Sequence, residues 1–271
     1  TGLTALAGVR QDCPMDEQLL QSGAITVSFD GEILHVSLNR PEARNAQTPA
    51  TWAALAHVGA NLPEGLRAVV LSGAGASFSA GLDRRMFTAD GIPGTTSLVE
   101  LASATDEVLL GSIAVFQEAF TWWRSCDAIT VAAVHGHAIG AGFQLALACD
   151  LIVADRSALF SMRETSLGLV PDLAGTAPLV SAVGYPRALE ICTSGRDVSA
   201  DEALRIGLAV SIAEPGDLQG QVSRLLAPIV AAPADAVSAT KHLLRAAQHA
   251  RPRDQREAER QAQVARIRSL L

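Results

Sequence analysis

Two short glycine-containing turns carry the chemistry that this chain shows first. "SAGLD" at 79–83 and "GAGFQ" at 140–144 each follow an apolar run with the texture of a buried strand, and each introduces a helical segment. Glycines in such places let the backbone turn sharply and leave its N–H groups exposed. Two N–H donors converging from separate turns make an oxyanion hole, which stabilises negative charge on a carbonyl oxygen by about 2.7 to 4 kcal/mol per donor. Tight packing alone would also use glycine, so it is the pairing, with carboxylates downstream, that carries weight. Other chemistries fit less well. "SGAGAS" at 72–77 follows a strand as a dinucleotide fingerprint does, but its third glycine and immediate helix are missing. His135 and His137 are alternate residues of an extended run, so they point to opposite faces, and no Asp, Glu or Cys stands at ligand spacing beside them. A G-x-S-x-G nucleophile elbow is absent.

The elements that must hold these turns are legible as an alternation. "AITVSFDGEILHVSLNRP" contains two β-rich runs joined by Asp30-Gly31, a hairpin expected over 24–38. Thr48 and Pro49 then form an N-cap and first helical position. "RAVVLSG", "AITVAAVHG", "DLIVAD" and "ALFSM" read as further strands, with helices opening at "GAGFQLALACD" and over about Leu98 to Arg124. This pattern predicts an α/β core. From Ser199 the texture is helical, punctuated by Pro215, Pro228, Pro233 and Pro252. The expected organisation is a loose arm at 1–23, a core at 24–198 and a helical C-terminal region at 199–271.

Composition narrows the partners. The chain has 271 residues, of which 49% are hydrophobic and 18% charged, enough apolar mass to fold around a large core. A net charge of −7 leaves no basic footprint for nucleic acid, and aromatics at 4% argue against base-stacking platforms. Cys13, Cys126, Cys149 and Cys192 are scattered and read as reduced structural thiols. The uncharged stretch from Ala128 to Cys149 is long enough to span a bilayer, but His135, His137, Gln144 and three glycines break it into a strand, a turn and a helix. No membrane insertion is expected, and without a secretory signal in 1–24 the default compartment is the cytoplasm.

"LNRPEARNAQTP", "FSAGLD", "AAVHGHAIGAGFQLALACDLIVAD", "FSMRETSLGLVPDLAGT" and "SATKHLL" together resemble the successive signatures of the crotonase superfamily, the enoyl-CoA hydratase/isomerase family, from about 24 to 250. The resemblance implies an α/β fold, a crotonase-like spiral of ββα units completed by a helical C-terminal region, assembled as a homotrimer or homohexamer. It implies an acyl-CoA thioester substrate and no separate cofactor or metal, CoA entering as part of the substrate. By motif it places the oxyanion-hole amides at Leu82 and Ala141. It places a CoA-binding edge at Arg44, Ala46, Ala80, Leu82 and Asp83, with Arg84 or Arg85 available to phosphates and Lys241 as a further candidate from the C-terminal region.

The catalytic positions depart from the family's hydratase pattern. Hydratases of the family carry a Glu two residues after the glycine turn, and this chain has Gln144. Glutamine can hold a water or a substrate but cannot take a proton, and loss of a general base costs about 10² to 10⁴ in rate. The second carboxylate survives as Glu164, at the position used by the family's isomerases, and the Glu-x7-Asp spacing to Asp172 resembles that of dienoyl-CoA isomerases. The resemblance therefore implies a double-bond shift with Glu164 as proton shuttle. Asp172 is either a second acid/base for a longer dienoyl shift or a residue that orients its loop or caps a helix. The alternatives are hydration or another crotonase reaction with Gln144 positioning water or substrate, and non-catalytic acyl-CoA binding.

Overall fold

The computed structural model describes residues 15–269, so the expectations for the first 14 residues, Cys13 included, lie outside the described residues. In chain order the elements are α1 (Glu17–Ser22), β1 (Ile25–Asp30), β2 (Ile33–Leu38), α2 (Pro49–Ala60), β3 (Ala68–Gly73), α3 (Leu98–Leu101), α4 (Asp106–Ser125) and β4 (Ile129–Val134). They continue with β5 (His137–Ile139), α5 (Ala141–Ala148), β6 (Leu151–Asp155), β7 (Leu159–Ser161), α6 (Thr176–Val183), α7 (Tyr185–Ser194), β8 (Val198–Ser199), α8 (Ala200–Arg205) and β9 (Ser211–Ala213). The chain finishes with α9 (Leu218–Ala231), α10 (Ala234–Ala247) and α11 (Pro252–Arg268).

The main sheet has the order β1-β2-β3-β4-β6-β9, antiparallel only at the β1–β2 hairpin and parallel elsewhere. The hairpin closes at Gly31, whose φ of +58° is the left-handed conformation that an Asp-Gly turn requires. Its central strands are continuous apolar runs because both faces are covered. Val69, Leu71, Ala132, Val134, Ile152 and Ala154 point into the larger core, while Ala68, Val70, Val131, Ala133 and Val153 pack against Val222 and Leu226 of α9. A second, three-stranded sheet has the order β5-β7-β8.

Three expectations are corrected. Residues 17–22 are not a loose arm but a helix, capped by the Asp16 carboxylate on Gln18 N and Leu19 N and anchored by the buried Leu20. The helix expected over Leu98 to Arg124 is two helices: a Ser97/Glu100 capping box starts α3, and the Thr105 hydroxyl caps a new start at Asp106. The C-terminal region is not purely helical either, since β9 is the sixth strand of the main sheet. At three residues it is too short for periodicity to reveal.

α10 is tied to the core by a buried ion pair, Lys241 Nζ to Asp150 Oδ2 at 2.7 Å, with the ammonium also donating to the Ala128 carbonyl at 2.6 Å. Asp150 in turn accepts from the Thr130 N–H at 2.8 Å, so one carboxylate joins α10, β4 and the end of α5. No single helix among the described residues is long and apolar enough to cross a membrane. Breaking a buried pair from one side typically costs 3 to 5 kcal/mol. Lys241→Met, which keeps the stem and removes the charge, is therefore expected to lower unfolding free energy by about 3 kcal/mol in urea denaturation. An unchanged midpoint would show that the pair contributes nothing net.

Candidate active site

The two glycine turns meet because the chain between them is sewn to one short strand. Beyond β3, Phe78 N donates to His135 O and Ser79 N to His137 O, both at 2.8 Å, and Ile139 N returns a bond to Ser79 O at 3.0 Å. The first turn thus runs along β5, and β5 leads through Gly140 into the second turn. On its other side the turn is bound to 44–47: Ala80 N donates to Arg44 O, Gln47 N to Gly81 O and Asp83 N to Gln47 O, at 2.7 to 2.8 Å. Beneath it lies a fully buried polar network. Ser79 Oγ donates to Asn45 O and accepts from Gly81 N and Gln47 Nε2, while Trp52 Nε1 donates to Gln47 Oε1 at 2.7 Å.

Leu82 N–H and Ala141 N–H, the expected oxyanion pair, have no hydrogen-bond partner among the described residues. Ala141 is the first residue of α5, where a helix leaves its N–H groups unsatisfied and its dipole favours negative charge. The approach is close enough to demand glycine. Gly81 has φ +87°, and a Cβ there would lie 2.4 Å from Ile139 O and 3.5 Å from Ala141 N. A Cβ on Gly142 would lie 2.6 Å from Ser79 O.

Glu164 is packed against this turn, its Oε1 3.4 Å from where a Cβ on Gly140 would sit. It begins a 3-10 turn over Glu164–Leu167 and is buried, with Oε1 accepting from Gln144 Nε2 at 2.6 Å and Oε2 left without a partner. Gln144, also buried, accepts the Leu173 N–H on its Oε1 at 2.9 Å. One amide therefore holds Glu164 and the backbone directly after Asp172. Burial pushes the Glu164 carboxyl above the ordinary carboxylate range; its hydrogen bonds, including that from Gln144, oppose this, and the Asp172 charge adds to it. Burial likewise raises Asp172. Glu164, Gln144 and Asp172 are thus brought together, one of them amide and two of them carboxyl.

The expected CoA edge is only partly assembled from free side chains. Arg44, Ala46, Ala80, Leu82, Asp83, Arg84 and Arg85 lie along the paired 44–47 and 80–85 segments. Arg44 and Arg84 are exposed and make no side-chain hydrogen bond or ion pair among the described residues. Asp83, in contrast, caps the following 3-10 turn at Arg85 N and is paired with Arg40 and with Arg85, at 2.9 Å for the latter. The Arg85 hydrogen bond, with help from Arg40, holds its carboxyl well below the usual range. Lys241 is a correction. Its ammonium is buried on Asp150 and on backbone carbonyls, so it anchors a helix and is not presented to a nucleotide.

Sequence reasoning missed three participants. Arg40 holds Asp83, Gln47 shapes the first turn, and Gln117 Nε2 on α4 donates to the Asp172 carbonyl at 2.6 Å. Arg40 and Gln47 lie within the quoted N-terminal motif, but Gln117 is an ordinary polar position on an amphipathic helix and carries no signal. His135 and His137 are bonded to Gly75 O and Ser77 Oγ. Trp123 is fully buried and stacks on Trp122, with ring centroids 3.9 Å apart.

A carboxyl whose pKa is raised by folding favours the folded state while protonated. That contribution is complete below the unfolded carboxyl pKa and is lost as pH rises through the folded value. Glu164→Gln should therefore melt higher than the parent protein at pH 8, and the difference should shrink as pH falls through the raised Glu164 value and be gone below about 4. Thermal unfolding across that range measures it, and a pH-independent difference would contradict the burial of a charged carboxylate.

Residues 28–269 match the profile of the Enoyl-CoA hydratase/isomerase family. The (E)-benzylidenesuccinyl-CoA hydratase of Thauera aromatica is 31% identical over 221 residues, 80% of each chain. The mitochondrial Delta(3,5)-Delta(2,4)-dienoyl-CoA isomerase of Mus musculus is 32% identical over 194 residues, 70% of this chain and 58% of that one. A Thermobifida fusca YX structure in complex with CoA, of a chain assigned by description only as an enoyl-CoA hydratase, superposes with a TM-score of 0.89. It shows 42% identity and covers 94% of this chain and 97% of that chain. Two glycine turns stitched to one strand, an unpaired N–H on each and a buried carboxyl beside them thus occur in a chain that belongs to the enoyl-CoA hydratase/isomerase family of the crotonase superfamily.

Proposed function

We propose that the protein isomerises the double bond of an enoyl-CoA thioester, with Glu164 as the proton shuttle. The observation that carries this reading is the state of Gln144. A hydratase of the ordinary pattern needs a second carboxylate there to take a proton from water. Here the residue is an amide whose Nε2 donates to Glu164 and whose Oε1 accepts from Leu173 N, so it is engaged as a brace. Glu164 remains as the carboxyl packed against the oxyanion turn, and one base is what a 1,3-shift needs.

In the proposed reaction the thioester oxygen of a 3-enoyl-CoA accepts hydrogen bonds from Leu82 N–H and Ala141 N–H. The Glu164 carboxylate takes a proton from C2, the C2–H electron pair forms C1=C2 and the carbonyl π pair moves onto the thioester oxygen, giving a dienolate; as the carbonyl re-forms, the C1=C2 pair becomes C2=C3 and the C3=C4 pair takes the proton at C4. During this shift the negative charge rests largely on the thioester oxygen, where the two amides are worth most. Glu164 then returns the proton to C4, leaving a conjugated 2-enoyl thioester and regenerating the carboxylate. No water is consumed. A raised carboxyl pKa makes Glu164 a stronger base once ionised and suits reversible transfer. The Asp172 charge raises the Glu164 carboxyl, and in this reading Asp172 would be the second acid/base if the shift extended over a conjugated dienoyl chain. The CoA phosphates have Arg44 and Arg84 as free cationic partners along the 44–47 and 80–85 edge.

A second reading, hydration with Gln144 holding the water, takes its support from the hydratases among the relatives. The two are separated by incubating 3-enoyl-CoA and 2-enoyl-CoA esters in ¹⁸O-labelled water and weighing the products. Isomerisation predicts a 2-enoyl product of unchanged mass from the first and no hydrate from the second. Incorporation of ¹⁸O at a rate matching the shift would overturn it. Glu164→Gln is expected to lower kcat by about 10² to 10⁴ with a far smaller change in KM.

A further inference from the structure

Away from the catalytic carboxyls, one cavity brings together two arginines, Arg124 and Arg245, that form no ion pair among the described residues. It has a volume of about 440 Å³ and lies among the end of α4, the first turn of α6 and the second half of α10. Arg124, His242, Arg245 and His249 line it, with Ala177 and Pro178 as the α6 wall. In a chain of net charge −7 such a grouping is not a reflection of overall composition.

Both arginines are without an acidic partner. Arg124 is half-buried and donates its Nε to Cys149 O at 3.1 Å, and Arg245 donates one Nη to Arg124 O at 2.7 Å. Neither forms an ion pair among the described residues. The nearby acids are taken: Asp127 accepts from His242 at 2.7 Å and from Ser238 at 2.9 Å, and Asp150 is on Lys241. Burial weakens the hold of Arg124 on its proton and the Arg245 charge weakens it further, against opposing help from Asp150. Two arginines that line one cavity, one of them half-buried, would be stabilised by an anion that accepts from both. The α6 wall adds to this, because its Gly175 cap supplies no side-chain bond to the helix N-terminus. The cavity is not the catalytic cleft. Arg124 binds the chain just beyond the C-terminal end of α5, whereas the oxyanion turn is at the N-terminal end, about 12 Å away along eight residues of helix.

We propose that this cavity is a separate site for a small free anion of the phosphate class, gripped between Arg124 and Arg245. This does not rest on the isomerase reading. Inorganic pyrophosphate is the probe, titrated calorimetrically into the full chain at low ionic strength, with and without saturating CoA to occupy the Arg44/Arg84 edge. The expected result is one equivalent bound in the presence of CoA, weakened at least tenfold by Arg245→Gln and left unchanged by Arg84→Gln. Arg245 is exposed, so its replacement should fold; His249→Gln, also exposed, gives a second and smaller loss should Arg245→Gln melt early. Absence of binding with CoA present overturns the proposal, whether it is absent throughout or displaced by CoA. So does an affinity that Arg84→Gln abolishes and Arg245→Gln leaves intact.

Discussion

A single buried amide sets the geometry of the catalytic centre. Gln144 lies on the first turn of α5, and its two ends fix two different segments: Nε2 holds Glu164, which follows β7, and Oε1 holds Leu173 N, which follows Asp172. Leaving either bond unmade would strand a polar group in a nearly dry place, a cost of about 1 to 3 kcal/mol per group. The surroundings are shaped to the same amide, since a Cβ at Gly175 would lie 2.7 Å from Gln144 Cγ. A residue that in the hydratase pattern supplies a charge here supplies position instead, and the remaining carboxyl is left more basic by its burial.

The oxyanion turns depend on a different economy of hydrogen bonds. The segment 78–83 has no regular structure of its own, yet its N–H groups other than that of Leu82 are engaged by the carbonyls of His135 and His137, by the 44–47 segment or by Ser79 Oγ. Leu82 is left over by geometry: a parallel bridge to Gln47 uses the groups on either side of it. Ala141 is left over because it opens a helix. Two donors remain unpaired at one place because two ordinary pairing rules run out there. A thioester oxygen is the kind of acceptor that would complete both.

Much of this was legible in the chain. Asp30-Gly31 and Thr48-Pro49 mark local conformations through their own side chains, and each forms the turn or cap that its chemistry favours. The sheet strands were readable as apolar runs because parallel strands are buried on both faces. Gln144, Glu164 and Asp172 were visible through their motifs, although the bond that joins them was not. What escaped detection depended on contacts distant in sequence. The break between α3 and α4 rests on a capping choice between equally helical residues, and β9 is too short to show a period. Lys241 carries the same charge whether it reaches a phosphate or, as here, is buried on Asp150 across more than ninety residues of chain.

If Glu164 serves both carbons, the proton that leaves C2 is the one available to C4, and its buried carboxyl limits exchange with solvent during the transfer. Single-turnover conversion of 3-enoyl-CoA deuterated at C2, in ordinary water, followed by locating the label in the 2-enoyl product, tests this directly. A single shuttle predicts that part of the deuterium reappears at C4. Product formed at full rate with only solvent hydrogen at C4 would contradict it and would place separate groups at the two carbons.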